Sequence, residues 1–431
     1  MTQELAPIHG EPDQHAPIRN WAGNVTFTPT RLHRPSSVAA LQSIVARASR
    51  LKAVGTGHSF STVADSAGEL VTIADLPAVM DIDTGASTVT VSAGLRWGEL
   101  APVLHAAGYA VHNLGSLPHI SVAGSVATGT HGSGDRNGCL ATAVSSLDMV
   151  VPAGDVVRIS RGDKDFEGSV VALGALGIAT SMTLDVQPTF DVSQEVYDGL
   201  PWDVAVAHVD EIMGAAMSVS LFTTWRGHGF EQVWVKQRVG EPDVDLRWTG
   251  ATVADGPRHP VPGASPVHCT EQGGAVGPWF ERVPHFRLEF TPSSGAELQT
   301  EYLVPRSVGA DALRALEAIR DVVAPVLQIS EIRSVAGDDL WLSPAYGRDS
   351  IALHFTWIAD TERVMPVVRE VERALSAYDA RPHWGKVFSP SNVGARYPRI
   401  DEFADLVRRY DPRGVLSNEF VDTCVLGRID G

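Results

Sequence analysis

The chain has 431 residues, of which 44% are hydrophobic and 20% are charged, as in ordinary globular proteins. This length exceeds what one compact core accommodates and therefore predicts two domains. The formal net charge of −17 argues against binding to nucleic acid or to an anionic membrane surface, because both depend on basic side chains.

The first residues indicate where the protein resides. We expect no secretory signal, because MTQELAPIHGEPDQHAPIRNW has neither a basic start nor an apolar run. Residues 1–19 are polar and contain proline, which predicts a flexible arm. Three widely separated cysteines, Cys139, Cys269 and Cys424, suggest neither a zinc site nor a disulfide framework. A cytoplasmic protein is expected.

Short strands and helices alternate over the first 190 residues. Apolar positions at helical spacing, or alternating polar and apolar positions, locate them. In chain order we predict a helix carrying Val38, Leu41, Ile44 and Val45, strands at 51–55 and 87–94, a helix ending near Ala107 and capped by Gly108, a hairpin turning at 153–155, and a helix, a turn and a strand within the uncharged stretch 168–184.

Two stretches rich in glycine, serine and threonine interrupt these elements. They read VGTGHSFS (54–61) and GSLPHISVAGSVATGTHGSGD (115–135). Glycine allows sharp turns and a close approach to another molecule, and the backbone N–H groups of such loops bind anions. The two loops together could hold a pyrophosphate without basic side chains. The alternative is that both are tight turns and that His58, in the first, is a capped or packed side chain.

Motifs of several other chemistries are absent from the sequence. There is no P-loop, no dinucleotide fingerprint with three glycines and no G-x-S-x-G nucleophile elbow. Clustered spacing of metal ligands is also missing, so no metal site is expected.

The region 297–388 predicts a split β-α-β sheet with helices on one face, which leaves the other face free to cover a ligand. Its predicted elements are strands at 297–305, 326–335, 350–358 and 384–388, and helices carrying first Leu313, Leu316, Ile319 and Val323, then Val364, Val367, Val368, Val371 and Leu375.

Side chains alternate between the two faces of a strand. In SIALHFTWI (350–358) the apolar residues share one face, and His354 and Thr356 lie on the other. Glu331 and Arg333 share a face of the preceding strand, and Lys386 lies on the last one. If one sheet holds these strands, the five polar side chains converge. The alternative is that Glu331 and Arg333 form only an ion pair.

Several long motifs resemble the alditol oxidases, a family within the vanillyl-alcohol oxidase superfamily of flavoproteins. The resemblance covers nearly all of the chain from residue 20 onward. Its motifs are NWAGNVTF (20–27), VGTGHSF (54–60), GSLPHISVAGSVATGTHGSG (115–134), LGALGIATSMTLDV (173–186), FTPSSGAELQTEYLVPR (290–306), EIR (331–333), WLSPAYGRDS (341–350), HFTW (354–357), RPHWGKVF (381–388) and DPRGVLSNEF (411–420).

The resemblance implies a two-domain α+β flavoprotein. An FAD-binding α+β domain would span residues 20–190, and a substrate (cap) domain with a large antiparallel sheet and helices would span residues 191–395. Residues 396–431 would return to the FAD-binding domain. A monomer is expected.

The resemblance also implies FAD bound covalently through His58, whose ring would be joined to the 8α-methyl carbon of the flavin. A second link at Cys139 is not expected, because its surroundings do not match those of doubly linked relatives. The remaining cofactor contacts implied are Ala53, Val54, Gly55, Thr56, Gly57, Ser59, Ser116, Ser121, Gly124, Ser125, Val126, Ala127, Thr128, Ile178 and His383.

The implied reaction is oxidation of the terminal primary alcohol of an alditol, such as xylitol or sorbitol, to the aldose. Hydride would pass to flavin N5, and oxygen would be reduced to hydrogen peroxide. Arg333 and Lys386 would stabilise the developing alkoxide, and His354, working with Glu331, would accept the proton. The implied substrate contacts are Ser116, Glu331, Arg333, Thr356 and Lys386.

Gly115 stands where the alditol oxidases that this chain resembles carry alanine. Because glycine has no Cβ, we expect oxygen to reach the flavin on this side; the alternative is that Gly115 serves only the turn before Ser116. Two other functions stay open. One is a related flavin oxidase or dehydrogenase for an aldonolactone or another polyol-like alcohol. The other is a flavin-carrying or sugar-binding protein without turnover.

Overall fold

The computed structural model describes residues 18–289, 296–391 and 393–427. The predicted arm therefore lies outside the described residues except for its last two, and so does the start of the motif at 290–306. No helix within these ranges is long and apolar enough to cross a membrane.

The first 190 residues contain two main sheets and four helices within the described range. A parallel sheet has the order β3-β5-β4, and an antiparallel sheet has the order β10-β9-β11-β7-β6. The strands are β1 (Ile18–Arg19), β2 (Thr26–Phe27), β3 (Arg31–His33), β4 (Leu51–Ala53), β5 (Glu69–Val71), β6 (Met80–Asp83), β7 (Thr88–Ser92), β8 (Tyr109–Ala110), β9 (Val144–Val150), β10 (Val156–Ser160), β11 (Ile178–Asp185) and β12 (Gln187–Pro188), and the helices are α1 (Val38–Arg47), α2 (Trp97–Ala106), α3 (Val122–Ala127) and α4 (Phe166–Ser169).

The elements predicted here are confirmed. Helix α1 begins where the hydroxyl of Ser37 accepts a hydrogen bond from the Ala40 amide at 3.2 Å. The hairpin between β9 and β10 turns at Gly154, whose φ of 90° favours glycine. The stretch 168–184 contains the end of α4 and most of β11.

Among the described residues after 190, nine strands form one antiparallel sheet of order β16-β13-β15-β14-β19-β20-β18-β21, with β17 also paired to β13. The strands are β13 (Asp191–Pro201), β14 (Ser218–Thr223), β15 (Gly229–Arg238), β16 (Thr252–Val253), β17 (Gly277–Pro278), β18 (Glu297–Pro305), β19 (Leu327–Val335), β20 (Ser350–Ile358) and β21 (Arg381–Pro382), and the helices are α5 (Trp202–Ala207), α6 (Val209–Met213), α7 (Trp279–Arg282), α8 (Gly309–Glu317), α9 (Arg320–Val323), α10 (Thr361–Ala374) and α11 (Ile400–Tyr410).

The split β-α-β arrangement is confirmed for β18 to β21 and occurs a second time upstream. The order β18-β20-β19 in the second half of the sheet mirrors the order β13-β15-β14 in the first half. The two halves meet where β14 pairs with β19. The single helix predicted through Leu313 and Val323 is instead two helices, α8 and α9, which are separated by residues 318–319. Its apolar stripe is retained, because Ile319 still packs on the core.

The strand predicted at 384–388 is wrong. The amides of His383 and Val387 donate to the carbonyls of Glu301 and Gln299 on β18, at 2.9 and 2.8 Å. Four residues thus match two on the partner strand, so residues 384–386 form a looped-out turn, as in a β-bulge. Lys386 therefore projects from this turn rather than from a strand.

The predicted faces of β19 and β20 are confirmed. Glu331 pairs with His354 in the sheet register, while Leu353, Phe355 and Trp357 are fully buried in the apolar core. Ser330 faces this core because its hydroxyl accepts a hydrogen bond from the indole Nε1 of Trp225 at 2.8 Å.

The end of the chain contacts the first part of the molecule. The Leu51 amide donates to the carbonyl of Val415 at 2.8 Å, and the side-chain amide of Asn418 donates to the carbonyl of Asp65 at 2.9 Å. The exact domain boundaries stay predictions.

Candidate active site

A cavity of about 330 Å³ is lined by the two glycine-rich loops and by strands β18, β19 and β20. Every predicted site residue except Val126 lines it. Val126 is buried in the apolar core instead, because α3 turns its side chain away. The fold thus brings together residues that lie up to 333 positions apart in sequence, from Ala53 to Lys386.

The first loop presents unpaired donors to this cavity. Among the described residues, the amides on either side of it are bonded, Val54 to Val71 and Phe60 to Gly385. The five amides in between, at 55–59, donate no hydrogen bond to any described residue. Consecutive free N–H groups of this kind form an anion-binding concavity. The loop therefore fits the pyrophosphate of a dinucleotide.

The second loop lies directly against the first. A Cβ added to Gly55 would lie 2.6 Å from the hydroxyl oxygen of Ser121, closer than side chains tolerate. Lys52 also lines the cavity, but its ammonium donates to the carbonyls of Leu173, Gly174 and Leu416 at 3.0 to 3.3 Å. An anion at the loops would thus be held by backbone donors, as the loop composition predicts.

His58 is a half-buried ring at the edge of the same cavity. It stacks on Trp21 with ring centres 5.3 Å apart, and its Nδ1 lies 3.0 Å from the Thr56 hydroxyl oxygen. Burial, with the positive charges of His119 and Lys386, lowers the pKa of His58 to about 4. The imidazole is therefore neutral at pH 7, the form in which a ring nitrogen is nucleophilic.

The sheet contributes a row of polar side chains to the opposite wall. Glu301 on β18 and Glu331 on β19 both pair with His354 on the strand between them. Arg333 forms a buried ion pair with Glu301, and its Nη1 lies 3.5 Å from the hydroxyl oxygen of Ser116. Arg333 thus connects the sheet to the second loop.

Lys386 reaches this row from its turn. Its ammonium donates to Oε1 of Gln299, and Nε2 of His354 lies 3.2 Å from the same oxygen. Because that amide oxygen only accepts, Nε2 of His354 carries the proton and Nδ1 is bare. Nδ1 is buried and has no hydrogen-bond partner among the described residues.

The pKa values of Glu301 and His354 in this row are both lowered, for different reasons. Burial disfavours the ionised form of Glu301, but the neighbouring Arg333 and His131 hold the pKa of Glu301 well below its usual range. Burial, reinforced by Lys386 and Arg333, lowers the pKa of His354 to about 3 despite the nearby Glu301. At neutral pH the row therefore combines ionised carboxylates with a neutral imidazole.

Sequence reasoning missed Gln299, Glu301, His131, His285 and Lys236. Gln299 and Glu301 could have been found, since the alternation in ELQTEYLVP places them on one face, as in SIALHFTWI. The signal for Lys236 is a buried cation directly after the apolar run at 233–235 in β15. His131 and His285 lie in loops, where no periodicity applies.

Comparison with known proteins identifies the family of this chain. The sequence profile of an FAD binding domain matches residues 29–160, and that of D-arabinono-1,4-lactone oxidase matches residues 296–424. An alditol oxidase from a Streptomyces species is 52% identical over 94% of this chain and 98% of its own length. The chain belongs to the alditol oxidase family. The resemblance predicted from the motifs is confirmed.

More distant members of the wider family and of the fold also align over nearly their full length. An L-gulono-1,4-lactone dehydrogenase from Mycobacterium tuberculosis is 29% identical over 93% of this chain and 97% of its own. The solved structure of cholesterol oxidase from Brevibacterium sterolicum superimposes with a TM-score of 0.75 at 15% identity, covering 95% of this chain and 96% of that one. The predicted two-domain α+β fold with a large antiparallel sheet is confirmed.

Proposed function

We propose that this protein oxidises the terminal primary alcohol of an alditol, such as xylitol or sorbitol, to the aldose, with FAD as hydride acceptor and oxygen as the final oxidant, giving hydrogen peroxide. One observation carries the proposal. In a chain 52% identical to an alditol oxidase, a single cavity joins a loop of free amide donors to a buried row of cations, carboxylates and a neutral histidine.

The residues of the glycine-rich loops would hold FAD. The free amides at 55–59 suit its pyrophosphate, and the neutral ring of His58 is suited to a covalent bond with the flavin. Bound FAD would supply the hydride acceptor, at N5. His383, fully enclosed beside His131 with ring centres 5.8 Å apart, would lie next to the flavin.

Arg333 and Lys386 would stabilise negative charge on the substrate oxygen as its proton leaves. Both cations lie in a water-poor wall, where a preorganised donor lowers the barrier by about 3 kcal/mol. Ser116, Thr356 and Glu331 would orient the other hydroxyls of the polyol. All five side chains line the cavity.

His354 would accept the substrate proton at Nδ1, the ring nitrogen without a hydrogen-bond partner among the described residues. Burial, together with the cations Lys386 and Arg333, holds the pKa of His354 low before the reaction. Loss of hydride would leave positive charge on the carbinol group and make its hydroxyl far more acidic, so a weakly basic imidazole could take the proton.

Gly115 would leave oxygen a route to the flavin. A Cβ built there would meet its nearest neighbour, the methyl group of Thr130, at an ordinary contact of 3.6 Å, and the φ of Gly115 does not require glycine. The turn alone therefore gives little reason for glycine. We also propose a cytoplasmic monomer; the three cysteines are buried and unpaired, which suits a reducing compartment.

An aldonolactone is the second candidate substrate, favoured by the lactone oxidase profile at 296–424. Anaerobic mixing of the holoenzyme with xylitol, sorbitol or an aldono-1,4-lactone would decide between them. We expect the alditols to bleach the flavin and air to restore it with release of peroxide. If only the lactone bleaches the flavin, the protein oxidises aldonolactones and the alditol proposal is wrong. No bleaching by any of them would indicate binding without turnover.

A further inference from the structure

Behind the substrate wall lies a second buried cation, Lys236 on β15. Its side chain is 1% exposed. The ammonium donates to the carbonyl oxygens of Val283 and Pro284 and to Nδ1 of His285, the last at 2.9 Å. Three acceptors match the three protons of an ammonium group, so the position of Lys236 is fully determined.

His285 connects this lysine to the active site. Its Nε2 lies 2.7 Å from Oε1 of Glu331, and its ring packs edge-on against Trp234 and Phe222 with centres 5.2 and 5.8 Å apart. Its backbone amide donates to the carbonyl of Ser116 at 3.1 Å. The ring is therefore held on every side between Lys236 and the cavity.

The three groups define one direction for their hydrogen bonds. An ammonium group only donates, so Nδ1 of His285 must be the acceptor and Nε2 must carry the ring proton. An ionised carboxylate only accepts, so Nε2–H donates to Glu331. Burial, with the charge of Lys236, lowers the pKa of His285 to about 4, which keeps the ring neutral at pH 7.

We propose that Lys236 and His285 are positioning residues: Lys236 holds Nδ1 of His285 as a hydrogen-bond acceptor, and His285 in turn holds the Glu331 carboxylate, through Nε2–H, in the orientation that faces the substrate. This role rests on the proposed alditol oxidation. It also explains why a lysine lies in the apolar interior of β15, where a buried charge is otherwise costly.

Other charges act on the same carboxylate and set the expected pH effect. Glu331 faces Arg333 on its own strand, His354 on β20 and His285 from the loop. Lys236 faces Glu331, Arg333 and the thiol of Cys269, and burial lowers the pKa of Lys236 to about 7. The three acceptors around its nitrogen favour the ammonium form, which alone carries three protons. Arg333 remains in every variant below, so Glu331 keeps one cationic neighbour. Losing the His285 donor should therefore raise the pKa of Glu331 without abolishing its ionisation.

The test compares Lys236→Met, His285→Phe and the double variant in anaerobic flavin reduction by xylitol across pH. We expect the rate at neutral pH to fall about tenfold in each, and the acidic limb of the profile to move to higher pH. Since the two residues act in series, the double variant should match His285→Phe alone.

His285→Gln, which retains a donor and an acceptor, should recover most of the rate. Trp234→Phe changes the packing of the His285 ring and removes the hydrogen bond from Trp234 Nε1 to Gln232. It leaves both hydrogen-bond partners of His285 in place, so the pH profile should not move.

A second readout does not depend on turnover. In the 15N spectrum of histidine-labelled protein, the signals lost in His285→Gln identify His285. We expect the neutral Nε2–H tautomer in the parent protein, and in Lys236→Met the same tautomer with a shifted Nδ1 signal, because Nδ1 loses its hydrogen bond to the ammonium. Any of three results would overturn the inference. They are an Nδ1–H tautomer of His285 in the parent protein, additive losses of the flavin reduction rate in the double variant, and an acidic limb of the pH profile that does not move. If the parent protein is not reduced by xylitol, the proposed function fails, while the tautomer still tests this inference. Should Lys236→Met not fold, His285→Phe, His285→Gln and the parent spectrum still decide.

Discussion

Glu301 on β18 and His354 on β20 are direct cross-strand neighbours on the polar face of the sheet, and both interact with the charge of Arg333. Replacing this carboxylate leaves Arg333 buried with less compensation. We expect Glu301→Gln to lower the free energy of unfolding by about 3 kcal/mol and to slow flavin reduction. Denaturant titration and stopped-flow reduction measure the two effects. An unchanged free energy of unfolding would contradict the ion pair.

The covalent link is predicted at His58. Acid precipitation of the holoenzyme should leave the yellow chromophore in the protein pellet, and a flavin-bearing peptide should contain His58. His58→Ala should release all flavin into the supernatant while the fold survives, because the stacking on Trp21 is a local contact. Flavin found free in the supernatant of the parent protein would refute the link.

Arg333 and Lys386 are predicted to act on the transition state. Removing one buried cationic donor costs about 3 kcal/mol, or roughly a hundredfold in rate. We expect Arg333→Ala and Lys386→Met each to slow anaerobic flavin reduction by this order, with the flavin spectrum retained. If both variants reduce the flavin at the normal rate, Arg333 serves only as a structural ion-pair partner of Glu301 and Glu331.

Gly115 is predicted to control the oxygen reaction. Because a Cβ there meets only ordinary contacts, Gly115→Ala should fold normally. Reoxidation of the reduced flavin should slow from glycine to alanine to valine, while reduction by the polyol changes little. Equal reoxidation in all three proteins would exclude a role in oxygen access, and a parallel loss of both half-reactions would assign Gly115 to the turn.

Buried neutral histidines should make the protein acid-sensitive. The pKa of His354 is lowered to about 3 and that of His285 to about 4, chiefly by burial. The unfolded chain therefore binds more protons than the folded one below pH 6.5, and stability falls as the pH drops from 6.5 toward 4. His354→Gln should flatten this fall in a series of chemical unfolding curves. An equal slope in the variant and the parent protein would contradict the lowered pKa.

The sequence by itself determined the local elements and the faces of the strands. Alternation in SIALHFTWI and SEIR placed His354, Thr356, Glu331 and Arg333 correctly, because a side chain's face depends only on its position along its own strand. The anion-binding character of the two glycine-rich loops was also predicted from the sequence, because loops of this composition leave backbone N–H groups free to bind anions. The family followed from motifs that are long and contiguous.

Tertiary structure alone decided which residues share the site. Lys386 reaches it from a looped-out turn, since backbone pairing with β18 resumes two residues late, and no local pattern contains that mismatch. Lys236, His285 and Glu331 meet because β14 joins the two halves of the sheet. Strand order and loop paths depend on contacts between distant segments, whereas periodicity records only neighbours in sequence, so the hydrogen-bonded chain behind Glu331 emerges only in the folded protein.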